Sequence, residues 1–322
     1  MRQVRLGQTN LQVSAIAFGT WAFGGDWGAA DLQEAKNTIQ YALKLGINLF
    51  DTAQGYGFGM AEEVLADGLR DQTKREDVVI ATKGGLRKDG DRLLRDAGRQ
   101  SLRDGVESSL RNLRTDYIDI FQVHWPDLHT PPEETAQALE ELVAEGKIRH
   151  VGVSNYDADQ MQALGRFGRV ETLQPPYHLF RRDIEDRILS YTTEHDIGVL
   201  VYGPMAHGLL SGRMTESMTF DSDDWRSKSP DFTGETFRQN LAVVERLKVV
   251  ARELGMSLPQ LAVAWTLANP AVDVAVVGAR RASHLDETAA AADIEVSAAD
   301  LQEIDPILAD ALPVQGPHPE GM

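Results

Sequence analysis

Four residues of this chain have types and positions suited to one reaction: Asp51, Tyr56, Lys83 and His124, each at or just after the end of a short apolar run. A tyrosine hydroxyl ordinarily keeps its proton until about pH 10. A neighbouring ammonium favours the phenolate and turns the phenol into a proton donor near neutrality. Lys83 carries such an ammonium, and Asp51 would keep it charged away from water. His124 would donate to, or orient, a carbonyl oxygen. Together these groups polarise a C=O and protonate the alkoxide that develops on it. The set has no nucleophile paired with a base, and the chain has no cysteine. Reduction needs a hydride, which no side chain supplies, so the chemistry calls for a nicotinamide cofactor. Taken singly, each residue also has an ordinary reading: Asp51 as a cap, Lys83 as a solvated surface group, His124 as a hydrogen-bonded structural histidine, Tyr56 as packing in a glycine-rich turn. It is their convergence on one rim that the ordinary readings do not explain.

That rim depends on the elements that carry it. Eight short apolar runs read as strands: Ala15–Gly19, Ile47–Asp51, Val78–Thr82, Tyr117–Val123, Arg149–Val153, Glu171–Gln174, Gly198–Tyr202 and Asp273–Val277. Runs such as Val78-Val79-Ile80-Ala81 suit parallel strands buried on both faces. Helical patterns alternate with them. Leu32, Ala35, Ile39 and Ala42 share one face of a helix that stops near Gly46, with Asp31 and Glu34 as a capping pair. Thr130-Pro131-Pro132-Glu133 opens another helix with a capping residue and prolines in its first turn. Val106, Leu110 and Leu113 give a third face. Strands alternating with helices imply parallel pairing, and eight units in one domain favour a (β/α)8 TIM barrel over an open sheet. Active sites of such barrels lie at the C-terminal strand ends, and nearly every strand here ends in a polar or ionisable residue. Residues 1–14 are expected to form an N-terminal β-hairpin that plugs the barrel bottom, and 313–322 a flexible tail. About seventy residues separate the last two strands, opening on a polar stretch, Ser211 to Glu235, read as a cover over the cofactor.

Bulk properties narrow the partners. The chain has 322 residues, a net charge of −17 and basic residues that are mostly arginine. So negative a field disfavours nucleic acid. An apolar run long enough for a membrane span and an apolar N-terminal leader are both missing, so the expected setting is the cytoplasm. The expected assembly is a monomer or a weak homo-oligomer. The acidic, lysine-poor surface is open to two readings, salt adaptation or composition bias. No metal site is expected.

Longer motifs carry a family resemblance. The run Asp51-Thr52-Ala53-Gln54-Gly55-Tyr56-Gly57 resembles the aldo-keto reductase signature, as do Ala81-Thr82-Lys83, Asp116 through Trp125, and Gly146 through Asn155. The resemblance runs from about Leu6 to about Ile307. It is most similar to the bacterial, general-stress-type NADPH-dependent branch, for instance in Trp125-Pro126-Asp127 and Leu173-Gln174-Pro175-Pro176-Tyr177. It implies that Tyr56 is the general acid, that Lys83 and Asp51 tune it, and that His124 orients the carbonyl. Ser154, Asn155 and Gln174 would hold the nicotinamide carboxamide and Tyr202 would stack on its ring. The resemblance also places Gly19, Thr20, Trp21, Gly203, Pro204, Met205, Leu209, Gly212, Arg213 and Gly278 around the dinucleotide.

The Rossmann glycine fingerprint is missing, but strand-end loops of a barrel can grip an extended dinucleotide without it. Gly278-Ala279-Arg280 precedes a helix that starts near Ala282. An arginine at a helix N-terminus is well placed to clamp a 2′-phosphate, with Arg281 in reserve. That favours NADPH, with NADH as a weaker option. Glu287 matches the position that contacts adenine. The chain departs from the family pattern at His284 (usually Gln), Thr288 (usually Asn) and His207 (commonly Arg).

Trp21, Phe23 and Trp125 follow strands one and four and could wall an apolar substrate site. The expected substrate is a small aldehyde or ketone. Two rival functions remain at this level. One is a cofactor-binding, redox-sensing or partner subunit of the same fold, like potassium-channel beta subunits. The other is a barrel hydrolase with paired carboxylates, for which Glu62-Glu63 is the best candidate; that pair is also suited to the first turn of a helix.

Overall fold

The computed structural model describes residues 1–25, 27–28, 31–90 and 92–319. The chain opens with an antiparallel pair, β1 (Gln3–Arg5) and β2 (Gln12–Ser14). Eight parallel strands then close a barrel. In chain order they are β3 (Ile16–Gly19), β4 (Leu49–Asp51), β5 (Val79–Gly84), β8 (Ile118–Val123), β9 (Ile148–Ser154), β10 (Thr172–Gln174), β11 (Gly198–Tyr202) and β12 (Val274–Gly278). Each pairs with the next, and β12 returns to β3 with Val276 opposite Ala17. All eight runs expected as strands form strands, with ends shifted by no more than about two residues, the usual scatter of such boundaries.

Helices cover the outside: α1 (Leu32–Lys44), α2 (Met60–Leu69), α3 (Arg99–Leu113), α4 (Pro132–Ala144), α5 (Ala158–Gly165), α6 (Ile188–Glu194), α7 (Gly234–Glu253), α8 (Leu258–Leu267), α9 (Ala282–Ala290) and α10 (Ala298–Leu308). Asp31 caps α1 by accepting from the backbone N–H of Gln33 and Glu34. Leu32 does not join the buried face of that helix; it stands in the first turn and is 51% exposed, whereas Ala35, Ile39 and Ala42 are buried. Thr130 does not cap α4. Its hydroxyl donates to Asp127 (2.6 Å), and Pro131 holds the cap position.

The hairpin β1–β2 closes the N-terminal mouth. Leu6 and Val13 are fully buried with Ala17, Leu49, Ala81, Ile120 and Leu200 inside the barrel. The fit leaves no room for side chains at the contact: a Cβ on Gly7, whose φ is +46°, would fall 2.2 Å from the Gly198 nitrogen. At the same end, buried Asp119 on β8 accepts from Arg75 (2.6 Å), Arg149 (3.1 Å) and the Ile80 backbone (3.0 Å), lacing β5, β8 and β9 together.

Three segments fold over the opposite, C-terminal mouth. A second hairpin, β6 (Leu86–Asp89) with β7 (Arg92–Arg95), leaves directly from the end of β5. The stretch after β11 makes short turns at Trp225–Lys228 and Pro230–Phe232 before α7 begins. The stretch expected to trail loosely after α10 instead returns to the barrel: Leu312 exchanges hydrogen bonds with the Asn240 side chain, Val314 is fully buried with its N–H on the Phe180 carbonyl, and the Gln315 N–H donates to Asp231 (2.7 Å). Residues 320–322 of that stretch lie outside the described residues. Among the described residues, no helix is long and apolar enough to cross a membrane.

Candidate active site

The barrel closes with the C-terminal strand ends on one rim, and the four residues singled out for chemistry meet there. Asp51 ends β4, Lys83 lies near the end of β5, His124 follows β8, and Tyr56 sits in the turn after Asp51. The Lys83 ammonium donates to both carboxylate oxygens of Asp51 (2.8 and 2.7 Å), to the Thr52 carbonyl (2.9 Å) and to the Tyr56 hydroxyl oxygen (3.4 Å). Lys83 is only 1% exposed and Asp51 only 3%. Burial pushes the Lys83 pKa down, and the Asp51 carboxylate opposes that shift. His124 packs edge-on against the Tyr56 ring at 5.6 Å. Burial, and then the Lys83 charge, hold His124 well below the ordinary histidine range, so its imidazole is neutral.

A second set of hydrogen bonds ties three more strand ends to this group. Gln174 donates to Asp51 (2.8 Å), Ser154 donates to the Gln174 carbonyl (2.9 Å), and Tyr202 donates to the Asn155 side-chain oxygen (2.9 Å). The Asn155 amide donates to the His124 carbonyl (3.0 Å). These bonds link β4, β8, β9, β10 and β11, so a shift in one strand end is felt by all.

Above the rim lies an elongated cavity of about 420 Å³, running from Tyr56 and His124 to the N-terminal half of α9. Gly19, Trp21, Asp51, Ser154, Asn155, Gln174 and Tyr202 line one end. Gly278, paired with Gly19 on the adjacent strand, lines that end too; Gly203, Pro204, Met205 and Arg213 also line the cavity, and Arg280, His284, Glu287 and Thr288 line it beside α9. Arg213 pairs with Glu287 across the gap at 3.6 Å. Leu209 and Thr20 are fully buried away from the cavity, and Gly212 lies between the lining residues Ser211 and Arg213 without lining it. Lys83 is likewise absent from the lining, because it is sealed beneath Asp51 and Tyr56. Trp125 does line the cavity, but Phe23 does not. Phe23 is 1% exposed and packs on Phe18 in the barrel's outer core, so it is no part of a substrate wall.

Sequence reasoning missed several wall residues. Leu86 and Leu93 of the second hairpin, Trp27, Arg226, Gly316, Pro317 and Pro319 all face the cavity. The hairpin had a local signal in Asp89-Gly90, a turn-forming pair between extended flanks. The others come from distant loops and had none. Trp27 pairs with Asp224, Arg226 is gripped by Asp224 (2.6 Å) and stacks over the Trp27 ring at 4.6 Å, and Arg280 donates to the Trp27 carbonyl (3.2 Å). These contacts carry the chain across the cavity, where the polar stretch was expected to form a cover. His207 cannot supply the charge of the arginine more common at its position. Burial, with Arg181 and Arg226 nearby, pulls its pKa down to about 3. Arg226 brings a guanidinium to that wall instead and donates to the His207 carbonyl (3.1 Å).

Glu62 and Glu63 lie in the first turn of α2. Glu62 is fully buried and accepts from Thr82 (2.7 Å) and Asn112 (2.9 Å), behind the strands and outside the cavity lining, which removes the paired-carboxylate reading. Among the described residues, no group of three His, Asp or Glu side chains is placed to hold a metal ion.

Residues 15–309 match the aldo/keto reductase family. The chain belongs to that family. Aldo-keto reductase YhdN of Bacillus subtilis is 40% identical over 314 residues, covering 97% of this chain and 95% of its own. Among solved structures, the glycerol dehydrogenase of Gluconobacter oxydans superposes with a TM-score of 0.88 at 38% identity, covering 98% of this chain and 97% of that one. An aldo-keto reductase of Klebsiella pneumoniae in complex with NADPH gives a TM-score of 0.75 at 31% identity over 100% of this chain and 99% of the other. As an aldo/keto reductase, the chain is an oxidoreductase built on a (β/α)8 barrel.

Proposed function

We propose that the protein reduces aldehydes and ketones to alcohols with NADPH, with Tyr56 as the general acid. The observation that carries this reading is the Tyr56 hydroxyl 3.4 Å from an ammonium that Asp51 holds in place, at one end of an elongated cavity. The residues present fit a dinucleotide. Side-chain amides and a hydroxyl from Gln174, Asn155 and Ser154 gather beside the acid, matching a carboxamide in donors and acceptors. Two arginines, Arg280 and Arg281, sit at the start of α9, where the helix N-terminus also favours a phosphate. The bound nicotinamide would supply the hydride.

The chain's own groups do the rest. Neutral His124 holds the carbonyl oxygen, within reach of Tyr56. The Tyr56 hydroxyl releases its proton to that oxygen as charge develops on it. The Lys83 ammonium, already donating to the phenol oxygen, stabilises the phenolate left behind. Asp51 keeps the ammonium charged in a site that would otherwise neutralise it. The cover made by Trp27, Asp224 and Arg226 excludes water, which strengthens each of these interactions.

The test is NADPH consumption with 4-nitrobenzaldehyde. It should saturate with substrate, and Tyr56→Phe should lower kcat by roughly 10²- to 10⁴-fold while NADPH still binds, as read by quenching of the cavity tryptophans. Equal turnover in that variant would remove Tyr56 from the mechanism. NADPH binding without turnover of any carbonyl in the unaltered protein would favour a partner or sensing subunit.

A further inference from the structure

The second hairpin is an unassigned wall of the cavity, and its pairing shows which side chains it turns inward. Leu86 lies opposite Arg95 and Lys88 opposite Leu93. Directly opposed residues share a face, as do residues two apart on one strand. So Leu86, Lys88, Leu93 and Arg95 form a single face. Leu86 and Leu93 of that face line the cavity. The two cations hold it against neighbouring loops: Lys88 lies 4.1 Å over the Phe58 ring, in the loop that carries Tyr56, and Arg95 lies 5.0 Å over the Trp125 ring and donates to the Pro126 carbonyl (3.3 Å). The opposite face carries Arg87, which is paired with Asp96 at 2.8 Å.

Leu86 lies close to the reacting centre. Its Cδ1 and the His124 Nδ1 are 3.4 and 3.8 Å from the point where Gly55 would carry a Cβ. Leu86 is 5% exposed, so little of it meets water. Trp125 stands on the same side, with the His318 ring 5.3 Å away, and Pro317 and Pro319 extend that wall. A group attached to a carbonyl held by His124 and lying on this side of the cavity would therefore rest against leucine, tryptophan and proline. An apolar substituent gains from that contact. A hydroxylated one loses hydrogen bonds that these side chains cannot replace.

We propose that the Leu86–Arg95 hairpin is the substrate-selecting element, with Leu86 and Leu93 as specificity determinants that favour carbonyls bearing a flat apolar group over polyhydroxylated ones. This rests on the reductase reading above. The arrangement also explains the two cation–aromatic contacts. They fix a two-stranded ribbon that would be marginal alone, without placing a charge against the substrate.

The experiment compares kcat/KM for 4-nitrobenzaldehyde and for glyceraldehyde in the unaltered protein, Leu86→Ala, Leu93→Ala and Leu93→Met. The unaltered protein should prefer the aromatic aldehyde. Each alanine variant should lower that preference by about tenfold or more, as expected for losing one buried leucine contact, and Leu93→Met should retain most of it. Leu93 is half-buried on a peripheral ribbon, so its variants keep the test alive if Leu86→Ala fails to fold. A preference that stays constant across the variants, or a preference for glyceraldehyde at the outset, overturns the hairpin assignment and leaves the reductase reading standing. Turnover of neither aldehyde by the unaltered protein overturns both.

Discussion

At the scale of single residues, the site works by refusing solvent to charges that are then satisfied by one another. Lys83 is nearly inaccessible, yet every acceptor around its ammonium is protein: two carboxylate oxygens, one carbonyl and one phenol. Arg280 is the opposite case, an exposed cation beside α9 that donates to the Trp27 carbonyl. If it clamps a 2′-phosphate, Arg280→Ala should raise the KM for NADPH by roughly tenfold or more, since a charge-assisted contact is worth about 1.5–3 kcal/mol. The KM for NADH, which lacks that phosphate, should move far less. Equal rises for both cofactors would mean that Arg280 acts only by tethering the Trp27 loop.

At the scale of elements, the two ends of the barrel carry different work. The N-terminal end is a fastening: Asp119 takes hydrogen bonds from two arginines and a backbone amide, and Arg75 and Arg149 both stack on Tyr117 at 4.1 and 3.5 Å. Removing this carboxylate loses charge-assisted hydrogen bonds from two part-exposed arginines and leaves the Ile80 N–H unpaired, at about 1.5–3 kcal/mol. Asp119→Ala should therefore lower the urea midpoint by that equivalent while leaving KM for both substrates unchanged at temperatures where it stays folded. A large change in KM with intact stability would place Asp119 in the function of the other rim, against this division. Short strand ends with long loops at the C-terminal mouth leave that end free to differ. There the second hairpin, the Trp225 turns and residues 312–319 all fold over one cavity.

At the scale of the whole molecule, protonation links the site to stability. His124, His178 and His207 are buried and neutral, held below the ordinary histidine range mainly by burial, His207 at about 3. Their folded values lie below the unfolded one of about 6.5, so below that pH the unfolded chain binds more protons. The stability these residues allow is complete above about pH 6.5 and falls as the pH drops. Between pH 6.5 and 5.5 the three should together cost about 3 kcal/mol. Glu62, raised by burial, works in the opposite sense as it takes up its own proton. Urea unfolding followed across this range should show the loss, and His207→Gln should remove about a third of it. A flat profile would mean that these rings meet water in the folded state.

Much of this was legible in the chain. The eight strands follow from apolar runs too short for helices, and a parallel strand must release its chain at the same end as its neighbours, so chain order alone puts Asp51, Lys83, His124, Ser154 and Gln174 on one rim. Periodicity could not say which distant loops would meet over that rim. Phe23 and Trp21 are two residues apart in one turn, yet only one faces the cavity. Leu86, Trp27, Arg226 and Pro317 reach it from loops that share no local pattern. Those choices were made by packing, which buries whatever apolar surface and pairs whatever charge the closed barrel leaves uncovered, between residues that the chain itself keeps far apart.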